Sequence, residues 1–223
     1  MSAVRLLPEP VKGALRRALV DWFHRLFYYN GSRTWSNTTW LGVALEKCPL
    51  DLWIYQELLS SLKPRVIVEC GTAFGGSAYY LASLCELIGD GEVITIDVRA
   101  EPDRPSHQRL TYLTGSSTDP ATVAAVEEFV DEREPVLVVL DSDHTKEHVL
   151  KEMQLYGPLV TPRSYLIVED SNVNGHPVLP DFGPGPLEAI DAFLEENDNF
   201  SVDRSREKYY LTFNPSGYLL RTG

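Results

Sequence analysis

Two acidic clusters stand out in the chain. Asp141-Ser142-Asp143-His144 and Glu169-Asp170-Ser171-Asn172 each follow a short, continuous apolar run, Val136–Leu140 and Tyr165–Val168. If those runs are neighbouring strands, Asp141, Glu169 and Asp170 converge in one cleft. Their mutual repulsion then calls for a cation between them. Oxygen ligands suit a hard ion, with Mg²⁺ the first choice. The structural alternative makes the acids helix caps, and Asp143 fits that role before a helix starting near Thr145. His144 follows Asp141 by three residues, which puts an imidazole at the same cleft as a candidate general base. A third cluster, Glu69-Cys70-Gly71-Thr72-Ala73-Phe74-Gly75-Gly76-Ser77, follows Val66–Val68. Its glycines allow a tight turn and close ligand approach at a helix N-terminus. Their spacing is not GxGxxG. Asp97 ends Val93-Ile94-Thr95-Ile96-Asp97, where an acid can accept two hydrogen bonds from a ribose diol.

These residues need a scaffold that brings strand ends together. Apolar runs alternate with helical patterns: strands at Val66–Val68, Val93–Ile96, Tyr112–Leu113, Val136–Leu140 and Tyr165–Val168, and helices near Leu50–Leu62, Ser77–Leu87, Pro120–Asp131, Thr145–Tyr156 and Pro186–Glu196. Continuous apolar strands between helices mean a parallel sheet covered on both faces, and right-handed crossovers make it doubly wound. The fold class expected is α/β, a doubly wound Rossmann-like sheet. Ligands then sit at the carboxyl ends of the strands. The tail segments Phe200–Val202, Tyr209–Phe213 and Tyr218–Leu220 read as antiparallel strands. Trp53, Ile54, Leu58 and Leu62 are expected to face inward from their helix. A stiff loop, Asn174 to Pro186, carries His176 and four prolines and suits an acceptor wall or lid.

The first 30 residues differ. Arg5, Lys12, Arg16, Arg17 and Arg25 outnumber Glu9 and Asp21, and Leu15, Leu19, Trp22, Phe23, Leu26 and Phe27 recur at helical steps. Such a helix can lie on a membrane surface, cap a core or form a dimer interface; a homodimer is the favoured reading. Residues 31–48 read as an ordered loop.

Composition narrows the classes. The 223 residues fit one domain with a small appendage, and 43% hydrophobic with 23% charged residues excludes a disordered chain. The net charge of −12 argues against a nucleic-acid partner. No apolar run spans a bilayer, and no secretory signal is visible. Three cysteines, Cys48, Cys70 and Cys85, make no disulfide framework. A reducing cytoplasm is expected, in which the triplets Asn30-Gly31-Ser32 and Asn37-Thr38-Thr39 carry no glycan.

At these residues the sequence resembles class I S-adenosylmethionine-dependent methyltransferases. More narrowly, Leu140–His144, Val168–Asn172 with Gly175-His176-Pro177, Phe182-Gly183-Pro184-Gly185-Pro186 and Trp53-Ile54-Tyr55-Gln56-Glu57 resemble the cephalosporin hydroxylase / rhamnosyl O-methyltransferase family. The likeness runs from about Thr34 to Arg221. It implies a seven-stranded sheet, mostly parallel with an antiparallel C-terminal strand, together with S-adenosylmethionine and Mg²⁺. By position, it implies Asp141, Glu169 and Asp170 as metal ligands, with Asp141 and His144 catalytic. Glu69, Gly71, Gly75, Gly76, Ser77, Asp97 and Ser117 would bind the cofactor. His144 stands where related catechol-type enzymes keep a lysine base. Residues 1–48 would be an N-terminal helical and loop cap, and residues 49–223 the methyltransferase domain. Relatives with these loop motifs methylate sugar hydroxyls of bacterial glycolipids and polysaccharides. The acceptor expected is a rhamnoside or mannoside, including a mannoside 1-O-methyltransferase activity. Three other readings stand beside it. Methylation of a small phenol or antibiotic would use the same chemistry, with Trp35, Trp40 and Trp53 stacking on either acceptor. A non-catalytic binding module would not need the full carboxylate set. An iron hydroxylase needs two histidines and a carboxylate, and none of the five histidines lies in an HxD or HxE pair.

Overall fold

The computed structural model describes residues 8–130 and 132–223; Arg5, and Asp131 at the expected end of a helix, lie outside them. A long helix, α1 (Glu9–Tyr29), leads into a small hairpin, β1 (Thr39–Trp40) and β2 (Val43–Ala44). The main body then alternates: α2 (Pro49–Leu62), β3 (Val66–Cys70), α3 (Gly76–Ile88), β4 (Glu92–Asp97), β5 (Leu110–Thr114), α4 (Pro120–Val130), β6 (Val136–Leu140), α5 (Lys146–Tyr156), β7 (Tyr165–Val168), α6 (Pro186–Glu196), β8 (Phe200–Val202) and β9 (Tyr218–Arg221).

The seven-stranded sheet has the order β5-β4-β3-β6-β7-β9-β8. Strands β3 to β7 pair in parallel, and β9 runs antiparallel to both β7 and β8. The expected Rossmann-like fold is therefore present. Every residue of β3, β6 and β7 is buried, because helices cover both faces. Val66, Val68, Val138 and Leu140 point to the face packed by α4, α5 and α6. Ile67, Leu137, Val139 and Ile167 point to the face packed by α2 and α3.

Register positions the chemistry. Cys70 pairs with both Ile96 and Leu140, and Leu140 pairs with Val168. The residues that follow, Gly71, Asp97, Asp141 and Glu169, therefore leave one edge of the sheet together. The chain winds outward from β3 through β4 to β5, then resumes on the other side at β6. The β3/β6 junction is the topological switch point, where open α/β sheets bind ligands.

Some expectations change. Tyr209–Phe213 is not a strand. Its backbone serves side chains and loops instead: Phe213 N–H donates to Asp51 Oδ2 at 2.8 Å, and its carbonyl accepts from Asn172 at 3.1 Å. Leu211 and Phe213 there are buried under α1 with Cys48. The other two tail segments, β8 and β9, pair antiparallel as expected. Trp53 is 57% exposed, and Tyr55 and Leu59 join Ile54 and Leu58 in the core. Residues 31–48 contain the hairpin as well as loop. On α1, His24 is buried and Phe27 and Tyr28 pack around Phe213. The predicted apolar stripe, from Leu15 and Leu19 to Trp22, Phe23 and Leu26, is exposed on the single chain. None of the described helices is long and apolar enough to cross a membrane.

Candidate active site

A cleft of about 600 Å³ opens at the carboxyl edge of β3, β4, β6 and β7. Its two halves are built differently. In the first, the chain leaves β3 at Gly71, turns, and enters α3. Gly71 has φ +100°, and a Cβ there would lie 1.9 Å from the Asp141 carbonyl oxygen. Only glycine lets the two strand ends approach this closely. Gly75 (φ +82°) starts α3, and a Cβ on Gly76 would lie 1.9 Å from the Ala44 carbonyl oxygen, so the hairpin rests directly on the turn. Asp97 closes the turn: its Oδ2 accepts from Thr72 and Ala73 N–H at 3.1 and 2.9 Å, and its Oδ1 from Arg99 N–H at 2.9 Å. Arg104 Nη2 lies 3.3 Å from the same carboxylate. Of the positions expected to bind the cofactor, Gly71, Gly76, Ser77, Asp97 and Ser117 line the cleft. Glu69 and Gly75 lie outside that lining. Glu69 is fully buried beneath it, accepting from Ser77 Oγ and, at 2.6 Å, from Thr95 Oγ1. Burial pushes its carboxyl up to about 7, against the pull of Lys47 and its two hydroxyl partners.

The second half carries the charge. Asp141, His144 and Asp170 line the cleft, and a donor atom from each lies within 4.8 Å of the other two. His144 Nε2 is 3.3 Å from Asp170 Oδ2. Burial alone would lower the imidazole's pKa, but Asp170, Asp141 and Glu169 outweigh it and hold His144 above its ordinary value. Burial in turn raises the carboxyls of Asp141, Glu169 and Asp170. Asp170 sits at φ +53°; its N–H donates to Asn214 Oδ1 at 3.2 Å. Asp143 takes the turn role, accepting from Thr145 N–H at 2.8 Å, and α5 begins after His144 at Lys146.

Glu169 is placed differently from the other two acids. It is 6% exposed, and its Oε1 accepts from Tyr55 Oη and Lys47 Nζ, both at 2.6 Å. Lys47 also reaches Asp141 Oδ2 at 2.6 Å. The cation that the three acids demanded is thus supplied in part by the protein. Sequence reasoning missed Lys47. It arrives from the β2–α2 connection, 94 residues before Asp141 and 122 before Glu169, and no local spacing marks it. His148 was missed too. It lines the cleft and meets Ser117 Oγ at 3.2 Å, and its i,i+4 relation to buried Glu152 was the available signal.

The Pro/Gly loop is stapled from within. Glu188 Oε1 meets Asn174 and His176 at 2.8 and 3.0 Å, and its Oε2 accepts from Gly185 N–H at 2.7 Å. Among the three candidate stacking tryptophans, Trp35 lines the cleft. Trp40 packs edge-on to Tyr80 and bonds Ser83, and Trp53 is exposed beside Glu57.

The oxygen donors fit a hard divalent ion: the carboxylates of Asp141 and Asp170 face an open cleft with that of Glu169 beside them, and the His144 imidazole stands at the edge of the group. The first half fits a nucleoside-containing cofactor, with a glycine turn, a helix N-terminus and an acid at adjacent strand ends.

The family model Rhamnosyl O-methyltransferase/CmcI matches residues 32–222. A rhamnosyl O-methyltransferase of Mycobacterium tuberculosis is 42% identical over 217 residues, covering 92% of this chain and 85% of that protein. One from Mycobacterium leprae is 37% identical over 99% of this chain and 100% of that protein. Among solved structures, an apo form of CmcI superposes with TM-score 0.65 at 24% identity, over 84% of this chain and 77% of that one. CmcI with Mg and SAM superposes with TM-score 0.63 at 24% identity, over 84% and 78%. The chain belongs to the Rhamnosyl O-methyltransferase/CmcI family.

Proposed function

We propose that this protein is a metal-dependent O-methyltransferase that moves a methyl group from S-adenosylmethionine to a sugar hydroxyl, a rhamnoside or mannoside. The carrying observation is the convergence of Asp141, His144 and Asp170 beside the glycine turn and Asp97 in one cleft. The 42% identity to rhamnosyl O-methyltransferases supports the sugar acceptor.

In this reading S-adenosylmethionine supplies an electrophilic methyl, and Mg²⁺ lowers the pKa of the acceptor hydroxyl. Gly71, Gly76, Ser77, Asp97 and Ser117 hold the cofactor, with Glu69 and Gly75 shaping the turn beneath. Asp141, Asp170 and Glu169 hold the ion. His144 is the base that receives the hydroxyl proton, and Asp170, whose Oδ2 lies 3.3 Å from its Nε2, stabilises the imidazolium that results. Trp35 offers a face on which a sugar stacks. Residues 1–48 act as a cap that completes the site of residues 49–223, with Leu45 and Lys47 in the cleft wall. The exposed stripe of α1 is the surface assigned to a second copy, which light scattering would detect as a dimer and deletion of α1 as a monomer. Three free cysteines suit a reducing cytoplasm.

The test is a screen of rhamnosides, mannosides and simple phenols with methyl-labelled cofactor, with and without EDTA. Label transfer to a sugar only when Mg²⁺ is present supports the proposal. Transfer to phenols alone, or full transfer in EDTA, overturns it.

A further inference from the structure

Asp141, Glu169 and Asp170 together carry three negative charges when ionised, and a magnesium ion brings two positive ones. The third is already in place. Lys47 Nζ lies 2.6 Å from Asp141 and 2.6 Å from Glu169, and its side chain is 5% exposed. We propose that Lys47 is a permanent member of the metal site: its ammonium stays between Asp141 and Glu169 when the ion is bound, and so sets the site's preference for a divalent over a trivalent cation. The inference rests on the metal-dependent reading above.

The ammonium is held among acids, bonded to Asp141 and Glu169 and attracted by buried Glu69 as well. Its backbone is fixed by the N–H bond to the Leu45 carbonyl at 3.0 Å, and by buried Cys48 at the start of α2. Pushing Nζ away from its partners would leave a buried charge unpaired, which proteins rarely sustain. Nor does Lys47 block the ion's place. Lys47 takes one oxygen of each acid it meets, Oδ2 of Asp141 and Oε1 of Glu169, which leaves the second oxygen of each, together with Asp170, for the ion. Glu169 faces Lys47 and Tyr55 through Oε1, so at least part of its charge is answered by the lysine. Removing Lys47 would leave an extra negative charge facing the ion. A trivalent ion gains from that charge half as much again as a divalent one, because Coulomb energy scales with the product of charges.

The experiment uses the full chain. Mg²⁺ and Tb³⁺ affinities are measured by calorimetry for the wild type, Lys47→Met and Lys47→Arg. The side-chain ¹⁵N signal of Lys47, identified by its loss in Lys47→Arg, is followed as Mg²⁺ is added to the wild type. Expected are a Tb³⁺-to-Mg²⁺ affinity ratio raised about tenfold in Lys47→Met, a near-wild-type ratio in Lys47→Arg, and a lysine signal that stays solvent-protected at saturating Mg²⁺. A signal that loses protection as Mg²⁺ binds overturns the proposal, as does an unchanged ratio in folded Lys47→Met. If Lys47→Met does not fold, the wild-type signal decides alone. A wild type that binds neither ion overturns both this inference and the metal reading; one that binds Mg²⁺ but expels Lys47 overturns only this inference.

Discussion

The two halves of the cleft solve the same problem, holding a ligand at strand ends, by opposite means. The β3–β4 half relies on backbone shape. Gly71, Gly75 and Gly76 allow contacts that a side chain would forbid, and Asp97 ties the turn shut. Its glycine turn and the acid that ties it fall between residues 71 and 97. The β6–β7 half relies on charge balance. Its acids come from two strand ends, its counter-cation from the β2–α2 connection, and its backing from α1, where His24 meets Asn172 Nδ2 at 2.9 Å. A shape-based half fails by steric collision, and a charge-based half by uncompensated charge. The comparison predicts that variants in each half produce different losses.

The largest effect belongs to the charged half. Asp170→Asn removes a proposed metal ligand without unpairing Lys47, and asparagine tolerates the positive φ at that position. Turnover should fall by roughly 10³-fold or more, as expected for losing several kcal/mol of metal-dependent stabilisation. S-adenosylmethionine affinity, measured by calorimetry, should stay near wild type. A matching loss of cofactor affinity would break the division into halves. His144→Ala should lower turnover by about 10²- to 10⁴-fold, the usual worth of a general base, again with cofactor binding retained. Wild-type turnover at saturating acceptor would remove His144 from the reaction.

Gly71→Ala tests the shape-based half. The added methyl meets the Asp141 carbonyl at 1.9 Å, on a backbone with φ +100°. We expect a loss of about 3 kcal/mol or more in stability, read as a fall in Tm, together with loss of cofactor binding. Because the collision is with Asp141, this variant also sharpens the comparison: Mg²⁺ affinity should weaken with cofactor affinity.

The smallest effects are in pH dependence, and the halves should respond in opposite directions. Burial raises Glu69 from 4.5 to about 7 in the fold. Its contribution is complete below pH 4.5 and is lost as pH rises toward 7. Burial lowers His24, behind the acidic half, from 6.5 to about 4. Its contribution is intact above pH 6.5 and is lost as pH falls toward 4. Each amounts to about 3 kcal/mol at most, so they offset one another in the wild type between roughly pH 4.5 and 6.5. Thermal melts of Glu69→Gln should show stability falling more steeply on acidification than in the wild type. Melts of His24→Phe, which keeps the stacking on Phe213, should show it falling more steeply as pH rises. Parallel curves for both variants would mean that neither group titrates as its burial requires.

The sheet and the row of residues along its edge were legible in the local pattern of residues. Val136–Leu140 and Tyr165–Val168 match β6 and β7 residue for residue, since a strand buried on both faces must be apolar throughout and no other local structure suits so short a run. Once the strands are parallel and in register, Gly71, Asp97, Asp141 and Glu169 must share an edge. Tertiary structure alone decided what meets those residues from afar. Lys47 is one lysine in Glu46-Lys47-Cys48-Pro49, with nothing nearby to distinguish it from a solvated one; only the hairpin resting on Gly76 and the docking of α2 bring it to Asp141 and Glu169. Tyr209–Phe213 read as a strand because its residues favour extended structure, yet its backbone was claimed by Asp51 and Asn172. The apolar stripe of α1 read as a face in need of a partner, and it is exposed on the single chain, because periodicity reports a face, not what covers it. Local pattern fixes which residues lie together on an element, while charge pairing and side-chain-to-backbone bonds between residues 94 to 162 apart in the chain depend on how the elements pack.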